Sequence, residues 1–258
     1  MGKAEQLAFP GRERVEDRHR ERQHAKLQDE FFDHATLMTI SRLVTQGQFD
    51  TLDYPISKGK EGGVFRATGG EGFRAVKVYR VANTVFRHLP AYALEQLRRE
   101  SSERNFARLI FAWTRREHTI LRRMREAGVP VPEAFGHLRN VLVMSFIGTE
   151  GLAAPRLQDS VVPDASALAE EIEALVVRMV RDAKLVHGDL SPYNLLFHEG
   201  HPVVIDVAQA IPIEHPQARE LLTRDIHNLT KFLVKAGAEL DERAFFDRAG
   251  GNALPGRG

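Results

Sequence analysis

The sequence predicts an α+β chain in two lobes, with an antiparallel sheet and helices in the first half and a mainly helical second half. Three observations predict it. Short alternating runs broken by glycine clusters fill residues 52–80, and a further apolar run follows at 140–144. Apolar stripes at helical spacing occupy 106–126 and 164–183. A dense set of polar residues at the ends of short apolar runs spans 184–209. The length, 258 residues, holds ample core for one large domain or two lobes.

Composition narrows the class. A hydrophobic content of 43% and a charged content of 28% are those of a soluble globular chain. No apolar run approaches the roughly eighteen residues of a membrane span, and the first residues carry no apolar signal region. The expectation is no membrane and no secretion. Cysteine is absent, which excludes disulfides, thiolate catalysis and cysteine-ligated zinc and agrees with a cytoplasmic location. The net charge is only +1, but residues 87–125 hold ten Arg against four Glu. Such a segment attracts phosphate or nucleic acid, or forms solvated helix faces with their own pairs.

In chain order, residues 1–30 are a charged arm, disordered or a solvated helix. Phe31, Leu37, Ile40, Leu43 and Val44 predict an amphipathic helix capped at Asp33 or Thr36 and ending near Gly47. Residues 52–80 predict a β-meander in which Ser57, Lys58, Gly59, Lys60, Glu61, Gly62 and Gly63 join two strands before Val64. Glycines there let the backbone approach a phosphate closely, although turn chemistry alone also explains them. The strand-to-helix phosphate loop is excluded, because Gly59-Lys60 is followed by Glu61 and no helix follows. Alternation puts Ala75 and Lys77 on one face of the next strand and Val76 and Val78 on the other.

The stripe Leu109, Ile110, Trp113, Ile120, Leu121, Met124 defines the buried face of the helix over 106–126, and Glu117 falls on it. A buried carboxylate needs a partner, and Lys77 on the covered sheet is one candidate; a nearby Arg is another. Gly128 and the prolines at 130 and 132 end this helix. Residues 140–144 predict a buried strand and 145–148 a hinge. Leu168, Ile172, Leu175, Val176, Met179 and Val180 line the next helix, and a further one is expected between Pro216 and Ala236. The tail 249–258 is expected to be disordered.

The stretch 184–209 carries the chemistry. An antiparallel hairpin of 194–198 with 202–206, turning at His198–His201, would set Asn194 nearly opposite Asp206 and bring Asp189 to the same end. Two carboxylates and a carboxamide can hold a divalent cation through oxygen, with one carboxylate free to act as base. That is the equipment of phosphoryl transfer.

Over residues 34–235 the chain resembles the protein-kinase superfamily, and within it the type-one branch of the RIO kinases. The segments that carry the resemblance are 57–65, 75–79 (Ala-Val-Lys-Val-Tyr), 113–117, 141–148, 154–157 and, most strongly, 185–194 with 205–209. His215-Pro216 and Arg224-Asp225 continue it. The resemblance implies a two-lobed kinase fold, an N-lobe over 31–147 and a C-lobe over 148–248 that is truncated relative to ordinary kinases. It implies a serine/threonine protein kinase, or an ATPase working through a phospho-aspartate, with ATP between the lobes and Mg²⁺ or Mn²⁺ on its phosphates. Asp189 would be the catalytic base or the carboxylate that orients the phosphoacceptor, Lys77 fixed by Glu117 would contact the phosphates, and Asn194 and Asp206 would hold the metal. The nucleotide would lie against Ser57, Lys58, Gly59, Lys60, Gly62 and Val64, with adenine at Ser145 and Ile147 and Met144 behind it.

Gly188 stands where ordinary kinases keep an Arg that reads a phosphorylated activation loop, which argues against that control. Gly62-Gly63 and Ser145 depart from the family's usual Ala-Asn and Glu. The family's work in small-ribosomal-subunit maturation implies a precursor of rRNA and protein as partner, through the Arg-rich segment 87–125. Two alternatives share parts of the pattern: a small-molecule kinase of the aminoglycoside-phosphotransferase type, and an ATP-gated ribosome-assembly factor with little kinase activity. The Ser57–Phe65 loop and the Arg-rich stretch 87–108 before the Glu117 helix favour the RIO reading over the first.

Overall fold

Asp33 starts the first helix, α1 (His34–Thr45), because its carboxylate accepts from the Thr36 N–H and satisfies one orphan donor of the first turn. The structure is a computed structural model that describes residues 32–59, 62–70, 72–81, 91–100 and 105–255. The arm at 1–30, Phe31, Lys60, Glu61, parts of the Arg-rich segment (87–90 and 101–104) and the last three residues lie outside the described residues.

The meander is present as β1 (Thr51–Lys58), β2 (Gly62–Gly69) and β3 (Gly72–Tyr79). After α2 (Ala91–Glu100) and α3 (Phe106–Glu126) come β4 (Ala134–Leu138) and β5 (Val141–Ser145). All five strands form one antiparallel sheet in the order β1-β2-β3-β5-β4. Pro55, which has no N–H for a ladder, sits in β1 at the sheet's edge beside irregular pairing.

The alternation in β3 sorts its residues between two cores. Val76 and Val78 pack with Leu43, Phe49 and Phe65 beneath α1. Ala75 and Tyr79 face the larger core, where Leu109, Ile110, Trp113, Ile120, Leu121 and Met124 of α3 are all buried as the stripe predicts. Burial of six such side chains contributes about 1.5–3 kcal/mol each.

The face of α1 differs from the expected one. Thr36, Thr39 and Leu43 are buried, whereas Leu37 and Val44 are exposed. The reason is a polar contact from a distant turn. Asn140, itself buried, donates from Nδ2 to Thr36 Oγ1 at 2.9 Å and to the Tyr79 carbonyl at 2.8 Å, which turns Thr36 inward; the Thr39 hydroxyl donates to the Ala35 carbonyl of its own helix.

Beyond the sheet, β6 (Gly148–Thr149) and β7 (Leu152–Ala153) make a small hairpin. Asp164 caps α4 (Ala165–Arg181), and its predicted inner residues are buried. Then come β8 (Leu185–Val186), the hairpin β9 (Leu195–His198) with β10 (His201–Val204), and β11 (Ile211–Pro212), which pairs back onto β8. The helices α5 (Ala218–Ala236) and α6 (Glu242–Arg248) complete the second half, with Gly237 at φ 108° ending α5.

The expected disorder of the tail is corrected from 249 to 255. Ala249 and Leu254 are buried in the main core, and Gly251–Ala253 form a 3₁₀ turn. Two apolar anchors in a short glycine-rich stretch suffice to order it. Among the described residues no helix is long and apolar enough to cross a membrane.

Candidate active site

The hairpin forms with a two-residue turn. His198 pairs with His201, and Glu199 and Gly200 both take positive φ, 52° and 87°, as a tight turn between twisted strands requires. Its register corrects one expectation. The Ile205 N–H donates to the Asn194 carbonyl at 3.0 Å, so Ile205 rather than Asp206 lies opposite Asn194. Asp206 follows in the left-handed region (φ 57°, ψ 47°), which Asp tolerates better than most residues. That twist points its carboxylate back to the sheet, where Oδ1 meets Lys77 Nζ at 2.7 Å.

Lys77 is bound twice. Its Nζ also donates to Glu117 Oε1 at 2.6 Å, and Glu117 is 2% exposed. The partner expected across the sheet is therefore the one found. Burial, the largest single influence, opposes the ammonium, but Asp206 and then Glu117 together hold the Lys77 pKa well above its ordinary value. Lys77 in turn keeps the Asp206 carboxyl below its usual range. Tyr79, two residues from Lys77 on the same face, donates its hydroxyl to Glu117 Oε2. Burial and the Glu117 charge push its pKa well up, so it stays a donor.

The opposite wall is built on the loop after β8. Asn194 Nδ2 donates to the Asp189 carbonyl at 2.8 Å and to Asp189 Oδ2 at 3.2 Å; Gln209 Nε2 reaches the same Oδ2 at 3.0 Å. Underneath, buried Asp225 of α5 accepts from the N–H groups of Gly188 and Leu190, both at 2.8 Å. Burial pushes the Asp225 carboxyl up to about 8. The Gly188 carbonyl accepts from Tyr92 Oη at 2.9 Å and from Arg224. His187 is buried, and burial lowers its pKa; as a neutral ring it donates from Nε2 to the Ile205 carbonyl at 3.1 Å.

These two walls enclose a cavity of about 630 Å³. Ser57, Lys58, Gly59, Gly62, Val64 and Lys77 line one side; Asp189, Asn194 and Asp206 line the other. Glu117 stands behind Lys77. Met144, Ser145 and Ile147 do not line this cavity: Met144 and Ser145 pair with Ala75 and Arg74 of β3, and the Ile147 carbonyl accepts from Ala154 N–H at 3.0 Å.

The donor set suits a hard divalent cation shared with phosphates. Asn194 commits its amide N–H group to Asp189, so its side-chain oxygen could serve as a ligand, and the Asp206 side chain is 42% exposed. Among the described residues no group of three or more His, Cys, Asp or Glu could hold an ion on its own. One carboxylate and one carboxamide, completed by phosphate oxygens and water, is what such a cation needs beside a nucleotide.

Sequence reasoning missed several contributors. Arg116, Arg156, Gln209 and Arg224 carry polar groups in or beside the cavity, and Asp225 supports its floor. Tyr79 had a readable signal, the same-face alternation with Lys77; the others lie inside the segments of the family resemblance, which gave them no role. Arg116 is buried beside Glu117 and donates to the carbonyls of Ala208, at 2.9 Å, and Ala210.

Comparison with known proteins identifies the family and the fold. The family model described as "RIO domain" matches residues 63–245. The RIO-type serine/threonine-protein kinase Rio1 of Haloferax volcanii is 40% identical over 223 residues, covering 86% of this chain and 77% of that protein. The Rio1 kinase of Methanocaldococcus jannaschii is 38% identical over 210 residues, covering 80% and 71%. The solved ADP/Mg²⁺-phosphoaspartate complex of Rio2 kinase from Chaetomium thermophilum superposes with a TM-score of 0.63 at 21% identity, covering 85% and 67%. This last likeness shows the two-lobed kinase fold.

Proposed function

The chain belongs to the RIO family of serine/threonine-protein kinases, in its Rio1 branch, and from this premise we propose that it transfers the γ-phosphoryl group of ATP to a serine or threonine hydroxyl. One observation carries the reading. Lys77, fixed by Glu117 and bonded to Asp206, faces Asp189 and Asn194 across a single cavity. The Lys77 ammonium serves the phosphate oxygens, and Ser57, Lys58, Gly59 and Gly62 line the wall beside them. Asn194 and Asp206 would hold a divalent cation, Mg²⁺ or Mn²⁺, which neutralises phosphate charge when bound. Asp189 accepts the proton of the acceptor hydroxyl as the new O–P bond forms and the bond to ADP breaks. Adenine would lie at Ser145 and Ile147, with Met144 behind; this part rests on the family resemblance.

A second reading, ATP hydrolysis through an acyl phosphate on a site carboxylate, is favoured by the exposure of the Asp206 side chain and by the phosphoaspartate in the Rio2 complex. The test separates the two. Purified protein is incubated with γ-labelled ATP and Mg²⁺ or Mn²⁺, beside Asp189→Ala and Asp206→Asn. Acid-stable, hydroxylamine-resistant phosphoserine or phosphothreonine marks the kinase, and hydroxylamine-labile label marks the acyl phosphate. If wild type and variants alike show neither label nor turnover, the reading fails. A pre-ribosomal partner for the exposed Arg115, Arg122, Arg123 and Arg125 of α3 is part of the same proposal. Charge reversal at Arg115 and Arg123 should abolish salt-sensitive binding to small-subunit precursor particles in sedimentation.

A further inference from the structure

Gln209 is a polar residue of the cavity to which the kinase reading gives no task. It ends the 3₁₀ turn Val207–Gln209, three residues beyond Asp206. Its Nε2 and Asn194 Nδ2 converge on one oxygen of Asp189, Oδ2, at 3.0 and 3.2 Å. A carboxylate rotates easily about its last torsion, which is broad and nearly two-fold. Two amide donors on one oxygen restrict that rotation and leave Oδ1 as the oxygen that neither donor engages. A carboxylate only accepts, so the orientation of the Gln209 amide, nitrogen towards Asp189, follows from chemistry.

The turn that carries Gln209 is itself held. Arg116 donates to the carbonyls of Ala208 and Ala210, the residues on either side of Gln209. Arg116 precedes Glu117 in α3, so one helix fixes both the partner of Lys77 and the turn that steers Asp189. On its other side, the Gln209 Oε1 lies 3.5 Å from the hydroxyl of Tyr92, which bonds more closely, at 2.9 Å, to the Gly188 carbonyl.

We propose that Gln209 is a positioning residue for phosphoryl transfer, locking Asp189 by Oδ2 so that Oδ1 meets the acceptor hydroxyl, with Arg116 setting the turn. This rests on the kinase reading above. Gln209 does not belong to the groups assigned to nucleotide or cation, so its loss acts on the chemical step rather than on binding. Misalignment of a catalytic group by about an ångström costs up to about a hundredfold in rate.

The test uses the full chain with Gln209→Met, which keeps the length and removes the donor, and Gln209→Glu, which sets a second acceptor against Asp189 Oδ2. Measured are kcat and KM for ATP and ADP·Mg²⁺ affinity by calorimetry. Gln209→Met should lower kcat about 10–100-fold with KM and ADP affinity within about twofold. Gln209→Glu should lower kcat at least as far, again with KM and ADP affinity held, a split that a merely structural defect would not produce. Arg116→Met should lower kcat in the same direction. Wild-type kcat in either Gln209 variant, or a loss of kcat matched by an equal loss of ADP affinity, overturns the proposal. Turnover that survives Asp189→Asn would instead defeat the kinase reading itself.

Discussion

Tyr79 donates its hydroxyl to Oε2 of Glu117, the carboxylate whose Oε1 binds Lys77 at 2.6 Å. The glutamate that orients the lysine is thus satisfied at both oxygens in an almost dry position, 2% exposed. Tyr79→Phe leaves one buried carboxylate oxygen without its donor, which costs about 1–3 kcal/mol. For a chain of this size the melting temperature should fall by about 2–4 °C per kcal/mol. Lys77 keeps Glu117 and Asp206, so ATP turnover should suffer less than in Glu117→Ala. Thermal melts and steady-state kinetics of the two variants check both halves.

Gly188 sits at φ 80°, where a side chain is strained whatever the space, and a Cβ there would meet Tyr92 Oη at 2.9 Å and Leu221 Cδ1 at 3.5 Å. Gly188→Ala costs about 1–2 kcal/mol for the left-handed backbone alone. It also displaces the Tyr92 hydroxyl from the Gly188 carbonyl, immediately before Asp189. The expected outcome is a lower kcat at nearly constant KM for ATP. A variant with wild-type kcat would show that this loop tolerates the strain without moving Asp189.

How much of this was legible depends on the range of the interaction. Lys77 and Glu117 were readable because a period of two and a period of 3.6 each place one charged residue on an apolar face, and two opposite charges facing one core must meet. Asp189, Asn194 and Asp206 were readable because a short hairpin has few geometries. The one-residue error at Asp206 came from the turn: with two residues between the strands rather than three, His198 pairs with His201 and Ile205 falls opposite Asn194. Arg116 and Asp225 were illegible for another reason. Their partners lie 92 and 37 residues away and are backbone groups, which carry no side-chain signature. The inward Thr36 of α1 has a partner just as distant, Asn140, 104 residues away.

Arg66 ties the hairpin after the hinge to the sheet. Its Nε donates to Asp53 Oδ2 at 2.8 Å, its Nη1 to the Gly151 carbonyl at 3.3 Å, and its guanidinium lies 4.5 Å from the ring centres of both Tyr54 and Phe73. Tyr54 Oη donates to the same carbonyl at 3.0 Å. The pair and the two ring contacts together are worth about 1–2 kcal/mol at this partly exposed site. Arg66→Met should lower the melting temperature by a few degrees and leave kcat at saturating ATP unchanged. Unaltered stability would mean that the stacked guanidinium contributes no more than solvation did.

Asp225 makes stability depend on pH in an unusual direction for an acid. Unfolded, its carboxyl loses a proton near about 3.9; folded, burial holds the proton to about 8. Between those values the native state binds the extra proton, so this group's contribution to stability falls as pH rises, by at most about 1.4 kcal/mol per unit, and levels off above about 8. Asp225→Asn removes that slope. It also loses one of the two acceptors for the Gly188 and Leu190 N–H groups, a cost of about 1–3 kcal/mol that is constant with pH. The variant should therefore melt well below wild type at pH 5, and the gap should close as pH approaches 8. Melting curves of the two proteins at intervals from pH 5 to 9 decide the matter: parallel curves would mean that Asp225 is ionised in the native state throughout, held so by the two N–H groups and Arg224.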